Sequence, residues 1–205
     1  MIDAFVAGLF VGLFVAVFVG AAAMVVVETA IQQGLSVALA GGGGIATGDA
    51  LWAALAAGAG AAISRLFEPW AAVLQWTAAG VLAAILALAL RELFRSGPLA
   101  DPVDLPGSPL RAYADFLAHT LRHPTTVVFF ISLIVGAGPD YGAGEAVAFV
   151  VGVFLASLSW QVLLAVAGAR RRRAFSSRVR RGVLAVDCAL LALFIVYIAL
   201  GLYRY

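Results

Sequence analysis

The sequence predicts an all-α protein: a polytopic membrane helix bundle with six transmembrane helices, arranged as two inverted three-helix repeats plus a cytoplasmic interfacial amphipathic helix. Three observations carry that prediction. Of 205 residues, 64% are hydrophobic and 12% charged, and the mean hydropathy is +1.06. Average soluble domains run at about 45–50% apolar and about 25% charged. Apolar runs recur along the whole chain, and about 20 residues suffice to cross a bilayer as a helix. Eleven of the thirteen arginines fall in two loops, the asymmetry expected of an oriented membrane chain. So little polar surface excludes a cytosolic enzyme or a nucleic-acid-binding domain, and six spans leave no room for a soluble catalytic domain.

The first apolar run covers 4–27 and ends at Glu28, Gln32 and Gln33. Its start, MIDAFVAGLFVGLF, lacks the basic residues of a cleavable signal, so it is expected to be a retained span. The second run, 36–63, contains a single acid before its end, Asp49. The third covers 70–90 and is followed by Arg91, Glu92 and Arg95. Residues 96–109, SGPLADPVDLPGSP, hold four prolines and two glycines, which no helix can continue through. After this linker Leu110, Tyr113, Leu117 and Leu121 share one helical face, and Arg111, Asp115, His119 and Arg122 share the other. That stripe suits an amphipathic helix in the membrane interface, with a loop helix packed on the bundle as the alternative. The fourth run, 124–138, is short and has Pro124 in its first turn, where proline is tolerated. The fifth covers 146–169 and the sixth 182–202. The chain reads as one domain: repeat one at 1–95, linker and interfacial helix at 96–122, and repeat two at 123–205.

Charge orients the bundle. Arg91, Arg95, Arg111 and Arg122 lie between spans three and four; Arg170, Arg171, Arg172, Arg173, Arg178, Arg180 and Arg181 lie between spans five and six; only Arg65 and Arg204 lie opposite. The positive-inside rule makes both loops cytoplasmic and both termini external, in a multi-pass protein of the cytoplasmic (inner) membrane. The arginines then signal topology and contact anionic membrane lipid; no nucleic-acid partner is expected. A lone cysteine, Cys188, cannot form an internal disulfide.

An offset of 102 aligns GVLA at 80–83 with GVLA at 182–185, and Ala87-Leu88 with Ala189-Leu190. It also sets Pro124 against Ala22, just after Gly20. Three spans per half is an odd number, so the halves must point in opposite directions. Secondary transporters are built this way, with sites near the midplane where interrupted helices meet. A fourth span beginning at Pro124 inside the protein would aim unpaired N–H groups and a positive dipole end at an anionic group, with the hydroxyls of Thr125 and Thr126 as further donors. Alternatively, Pro124 merely starts the span at the cytoplasmic interface.

Asp49 lies about mid-depth, where a carboxylate costs about 2.5–3.5 kcal/mol on insertion scales, so it should face the interior, pair, or take up a proton. It is a candidate proton carrier and counter-ion for an ammonium group; a purely structural acid is the alternative. Upstream, the glycines at 41–44 and Gly48 allow close helix approach or a local unwinding. Ser157, Ser159, Trp160 and Gln161 are the polar cluster of span five, at about the depth of Asp49. Asp187 lies within reach of neighbouring arginines and reads as a structural pair. His119 and His123 have a spacing that can hold a metal, but no further His or Cys lies near in sequence, so neither a metal nor another cofactor is expected. No Ser-His-Asp set, HExxH pair or phosphate loop is present, which argues against an enzyme.

These residues resemble a known family. Residues 16–55, AVFVGAAAMVVVETAIQQGLSVALAGGGGIATGDALWAAL, are similar to the opening two spans of the lysine exporter (LysE/RhtB-type) family of amino-acid exporters. HPTTVVFFISLI at 123–134 resembles that family's Asn-Pro-Lys segment with paired aromatics, and RVRRGVLAV at 178–186 its entry to the last span. The motif GIATGD, ending at Asp49, implies that Asp49 is the family's intramembrane acid. The chain is a divergent member by this resemblance: where the family has Pro-x-Gly-Pro it has Phe18-Val19-Gly20-Ala21, and for Asn-Pro-Lys it has His123-Pro124-Thr125. The leading expectation is an exporter of an amino acid or related small amine by proton exchange, with Asp49, Gly20, Pro124, Thr125, Thr126 and Ser159 at the site. The partners are then a small-molecule substrate, the proton and membrane lipid, with a homo-oligomer also compatible. A transport-inactive scaffold or partner subunit of the same fold, and a cation exporter, are the alternatives.

Overall fold

A computed structural model describes residues 1–18, 20–94, 107–137, 141–170 and 177–200. Among them the secondary structure is helical and no strand occurs. The first apolar run forms α1 (Ile2–Phe18) and α2 (Gly20–Gln33), the second α3 (Leu35–Phe67). A short 3-10 turn, Glu68–Trp70, leads into α4 (Ala71–Phe94). Then come α5 (Pro109–Arg122), α6 (Pro124–Ala137), α7 (Ala143–Ala169) and α8 (Ser177–Ala199). Of these, α7 is long and apolar enough by length and composition to cross a membrane. Val19, most of the proline-rich linker, residues 171–176 of the arginine loop, Arg204 and the side chain of Asp187 lie outside the described residues.

The helix ends follow from local chemistry. Gly34, between α2 and α3, has φ of 93°, a left-handed conformation that glycine adopts without a Cβ penalty. Ser108 caps α5 by accepting from the Arg111 N–H at 3.3 Å, with Pro109 in the first turn. At α7, Glu145 accepts from the Gly142 N–H at 3.3 Å and lies 3.4 Å from the amino group of Met1. That contact sets the starts of α1 and α7 side by side.

Small residues decide which helices pack. A Cβ on Gly8 would strike the Phe149 carbonyl, one on Gly152 the Phe5 carbonyl, and one on Gly12 the backbone of Val153, so α1 runs parallel to α7 in backbone contact. Farther along, Gly168 meets Val27 and Ala30 of α2. On the other side α5 and then α6 advance along α3: Tyr113 lies over Gly44, Leu117 and Thr120 over Gly48, and Phe130 stacks on Trp52 at 6.5 Å. Helices α3 and α7 run antiparallel, since Gly42 meets Gln161 while Asp49 meets Ser157. The packing of α1, α2 on α7 thus has its counterpart in α5, α6 on α3, and α2 on α8 in α6 on α4. Helices α4 and α8 pack on each other, and α2 on α3 lacks such a counterpart among the stronger contacts.

Two expectations change. Helix α5 does not leave its apolar stripe to lipid alone: Tyr113 and Leu117 lie against Gly44 and Gly48 of α3, beside the buried Phe116 and Thr120, while Leu110 stays exposed. A glycine face offers backbone-close dispersion contacts that a lipid surface cannot match. The four glycines at 41–44 do not unwind α3, which is helical throughout; the helices packed on them supply what their missing side chains do not.

Large apolar side chains lie on the surface as well as in the core, and a few polar ones are buried. Phe10, Trp76, Leu88, Leu163 and Leu193 are each more than half exposed, whereas Asp49, Thr126, Ser157 and Gln161 are buried. An outer surface of large apolar side chains is stable in lipid and an aggregation hazard in water.

Candidate functional site

Asp49, Thr120, Thr126 and Gln161, all buried, line one cavity, and Ser157 is bonded to Asp49. Asp49, 1% exposed, sits midway along α3, and its Oδ2 accepts a hydrogen bond from the Ser157 hydroxyl of α7 at 2.7 Å. One turn on, Gln161 is 2% exposed and lines the same small cavity. Val15 and Ala16 of α1, Ile45 of α3, His119 and Thr120 of α5, His123, and Thr126 of α6 complete the lining. Its volume is about 10 Å³, room for roughly one water molecule.

Two polar atoms on this lining are buried without a hydrogen-bond partner: Gln161 Oε1 and His123 Nδ1. A buried unsatisfied polar atom costs about 1–3 kcal/mol. Such atoms suit a site that takes up a hydrogen-bonding ligand. Beyond the histidines, an open cavity of about 350 Å³ is lined by Asp115, His119, Arg122, His123 and Pro124. That volume is within the range of small-molecule sites, about 300–1,000 Å³. His119 and His123, with ring centroids 5.2 Å apart, wall both spaces.

The structure therefore brings together Asp49 and Thr126 from the expected set, with Pro124 on the open side. Thr125 is buried beside them in the first turn of α6. Gly20 opens α2, one turn beyond the α1 residues that line the cavity, and no described contact brings it there. Ser159 lies apart from the cavity: it is exposed, and its hydroxyl bonds back to the Leu155 carbonyl at 2.6 Å, while Ser157 bonds Asp49. Helical geometry explains why, since residues two apart point to opposite sides while Ser157 and Gln161, four apart, share a face. That i, i+4 spacing was the signal available in the sequence.

A family comparison bears on this arrangement. The family model of the LysE type translocator matches residues 13–203. The chain belongs to that family. It is accordingly an integral membrane protein and a translocator of a small molecule, and the matched region holds every lining residue of the cavity. Comparison with curated proteins finds no match, and comparison with solved structures finds none either.

Ser157 and Ser159 of this translocator make a paired test. Ser157→Ala removes the one hydroxyl donor to a buried carboxylate and is expected to cost about 1–3 kcal/mol. Ser159→Ala, on the outer face, is expected to change stability by less than about 0.5 kcal/mol. Thermal unfolding of the two variants in detergent checks the difference.

Proposed function

We propose that this translocator is a secondary-active exporter of an amino acid or related small amine across the cytoplasmic membrane, driven by proton exchange. The observation that carries the reading is Asp49, an acid buried in the bundle that accepts from the Ser157 hydroxyl, with no lysine or arginine on the cavity lining among the described residues. A carboxylate so placed is costly unless it binds a proton or a cation. A substrate ammonium and a proton satisfy that requirement equally and cannot do so together. Exchange is the consequence.

The other end of an amino acid finds partners close by. Helix α6 begins at Pro124, and the free N–H groups of its first turn carry the positive end of the helix dipole. Thr126 faces the cavity from that turn. The small volume fits a proton or a water and not an amino acid, which favours a closed state that must open before substrate enters. The matched packing of α1, α2 on α7 and of α5, α6 on α3 supports two inverted repeats moving against each other, the usual route to alternating access.

Efflux from vesicles loaded with single amino acids or amines tests the function. Release of at least one of them is expected to accelerate when an opposing proton gradient is imposed; indifference of the whole panel to that gradient overturns the exchange. The orientation has its own test, with cysteines at residues 140 and 174 after Cys188→Ser. An impermeant thiol reagent added to intact cells is expected to label 140 and spare 174, because the arginine loop is cytoplasmic. The opposite pattern reverses the topology.

A further inference from the structure

We propose that His119 and His123 form the proton path between the open cavity and Asp49, a role that rests on reading Asp49 as the proton-binding group. Three observations converge on it. Both rings line the open cavity and the small one at Asp49, so they stand between the open side and the buried acid. His119 is exposed and His123 half-buried, with 5.2 Å between ring centroids, which orders them as an outer and an inner station. His123 Nδ1 is buried and committed to no other hydrogen bond, which leaves it available to a bridging water or a proton.

The rest of the lining leaves no competing route from that side. Val15, Ala16 and Ile45 are apolar; Thr120, Thr126 and Gln161 do not titrate. The charged groups facing the histidines are Asp115 and Arg122 of α5, on the open side, and Asp49 of α3, on the closed side. Helices α6 and α7 contribute no titratable group to either lining among the described residues. Imidazole suits the task because it binds a proton on one ring nitrogen and releases one from the other. A proton from water in the open cavity goes onto His119, moves to His123, and passes to the Asp49 carboxylate; each imidazole ends neutral and the acid ends protonated. A single water in the small cavity can bridge the last step.

The test follows Asp49 itself. Its protonated carboxyl is read as an infrared carbonyl band in the reconstituted protein, assigned by its loss in Asp49→Asn, and its rise is timed after an acid pH jump. His123→Phe keeps the wall filled and is expected to slow that rise by roughly tenfold or more, within the scale of positioned proton transfer. His123→Ala is expected to be slowed similarly in plain buffer and to recover when free imidazole is added, which a merely structural role would not produce. An unchanged rate in His123→Phe, or no recovery with imidazole, overturns the path while leaving Asp49 as the proton-binding group. Absence of an Asp49-dependent band at every pH overturns both, and identifies the proton-carrier reading as the one that failed.

Discussion

On the proposed exchange, Asp49→Asn is expected to abolish proton-driven efflux and to leave the protein folded. The amide keeps the size of the side chain and can still accept from the Ser157 hydroxyl, now 2.7 Å from the carboxylate. It cannot take up or release a proton. Exchange at this site therefore loses its driving ion, and the expected fall in gradient-driven release is roughly a hundredfold or more, the scale of a lost proton-transfer group. Stability moves little, because replacing a buried charge by a neutral isostere removes a desolvation penalty together with the stronger hydrogen bond. The measurement is vesicle efflux with and without a pH gradient, beside thermal unfolding of the same preparation. A well-folded Asn variant that retains full gradient-driven release rules out the carrier role and leaves Asp49 as a packing residue.

Gly44→Val is expected to damage the fold severely. A Cβ there would meet the Tyr113 carbonyl and the Leu117 N–H, which are backbone atoms of α5 and cannot rotate away. The helices must separate, and with them Thr120 and His119 leave the wall of the cavity. Overpacking ordinarily costs about 1–3 kcal/mol and more when backbone must shift, so about 3 kcal/mol or more is expected here. Gly58→Ala supplies the control. No atom lies within 4 Å of a Cβ at Gly58, so the substitution is expected to stabilise α3 by about 0.5–1 kcal/mol through its helix propensity. Thermal unfolding in detergent compares the two; a Gly44→Val protein that melts with the parent contradicts the close approach of α3 and α5.

The candidate site was legible in part, and the parts differ in kind. Asp49 stands out in the sequence as a lone acid within an apolar run, and it occupies the centre of the buried polar cluster. Pro124 announces the start of α6 because proline is favoured in a first turn and kinks or breaks a helix farther in. Ser159 shows the weakness of reading polar residues as a cluster: it is two positions from the serine that bonds Asp49, and on a helix two positions is the other side. His119 and His123 read as a metal spacing or as a solvated face. Only their placement between two cavities gives them a role, and that placement depends on α5 and α3, which are separated by more than forty residues of chain.

What the sequence by itself determined is the solvent of this protein and the order of its helices. Apolar excess over runs of span length and the crowding of arginine into two loops depend on local composition, and composition decides whether a segment partitions into lipid whatever its neighbours are. What only the tertiary structure decided is which faces meet. The stripe on α5 is equally suited to a lipid interface and to a glycine surface, and nothing within those fourteen residues distinguishes the two. Gly44 and Gly48 do so from a distant part of the chain, because close backbone approach yields dispersion contacts that lipid cannot supply. The same approach carries the histidines to the wall of a buried acid, where their chemistry acquires a partner.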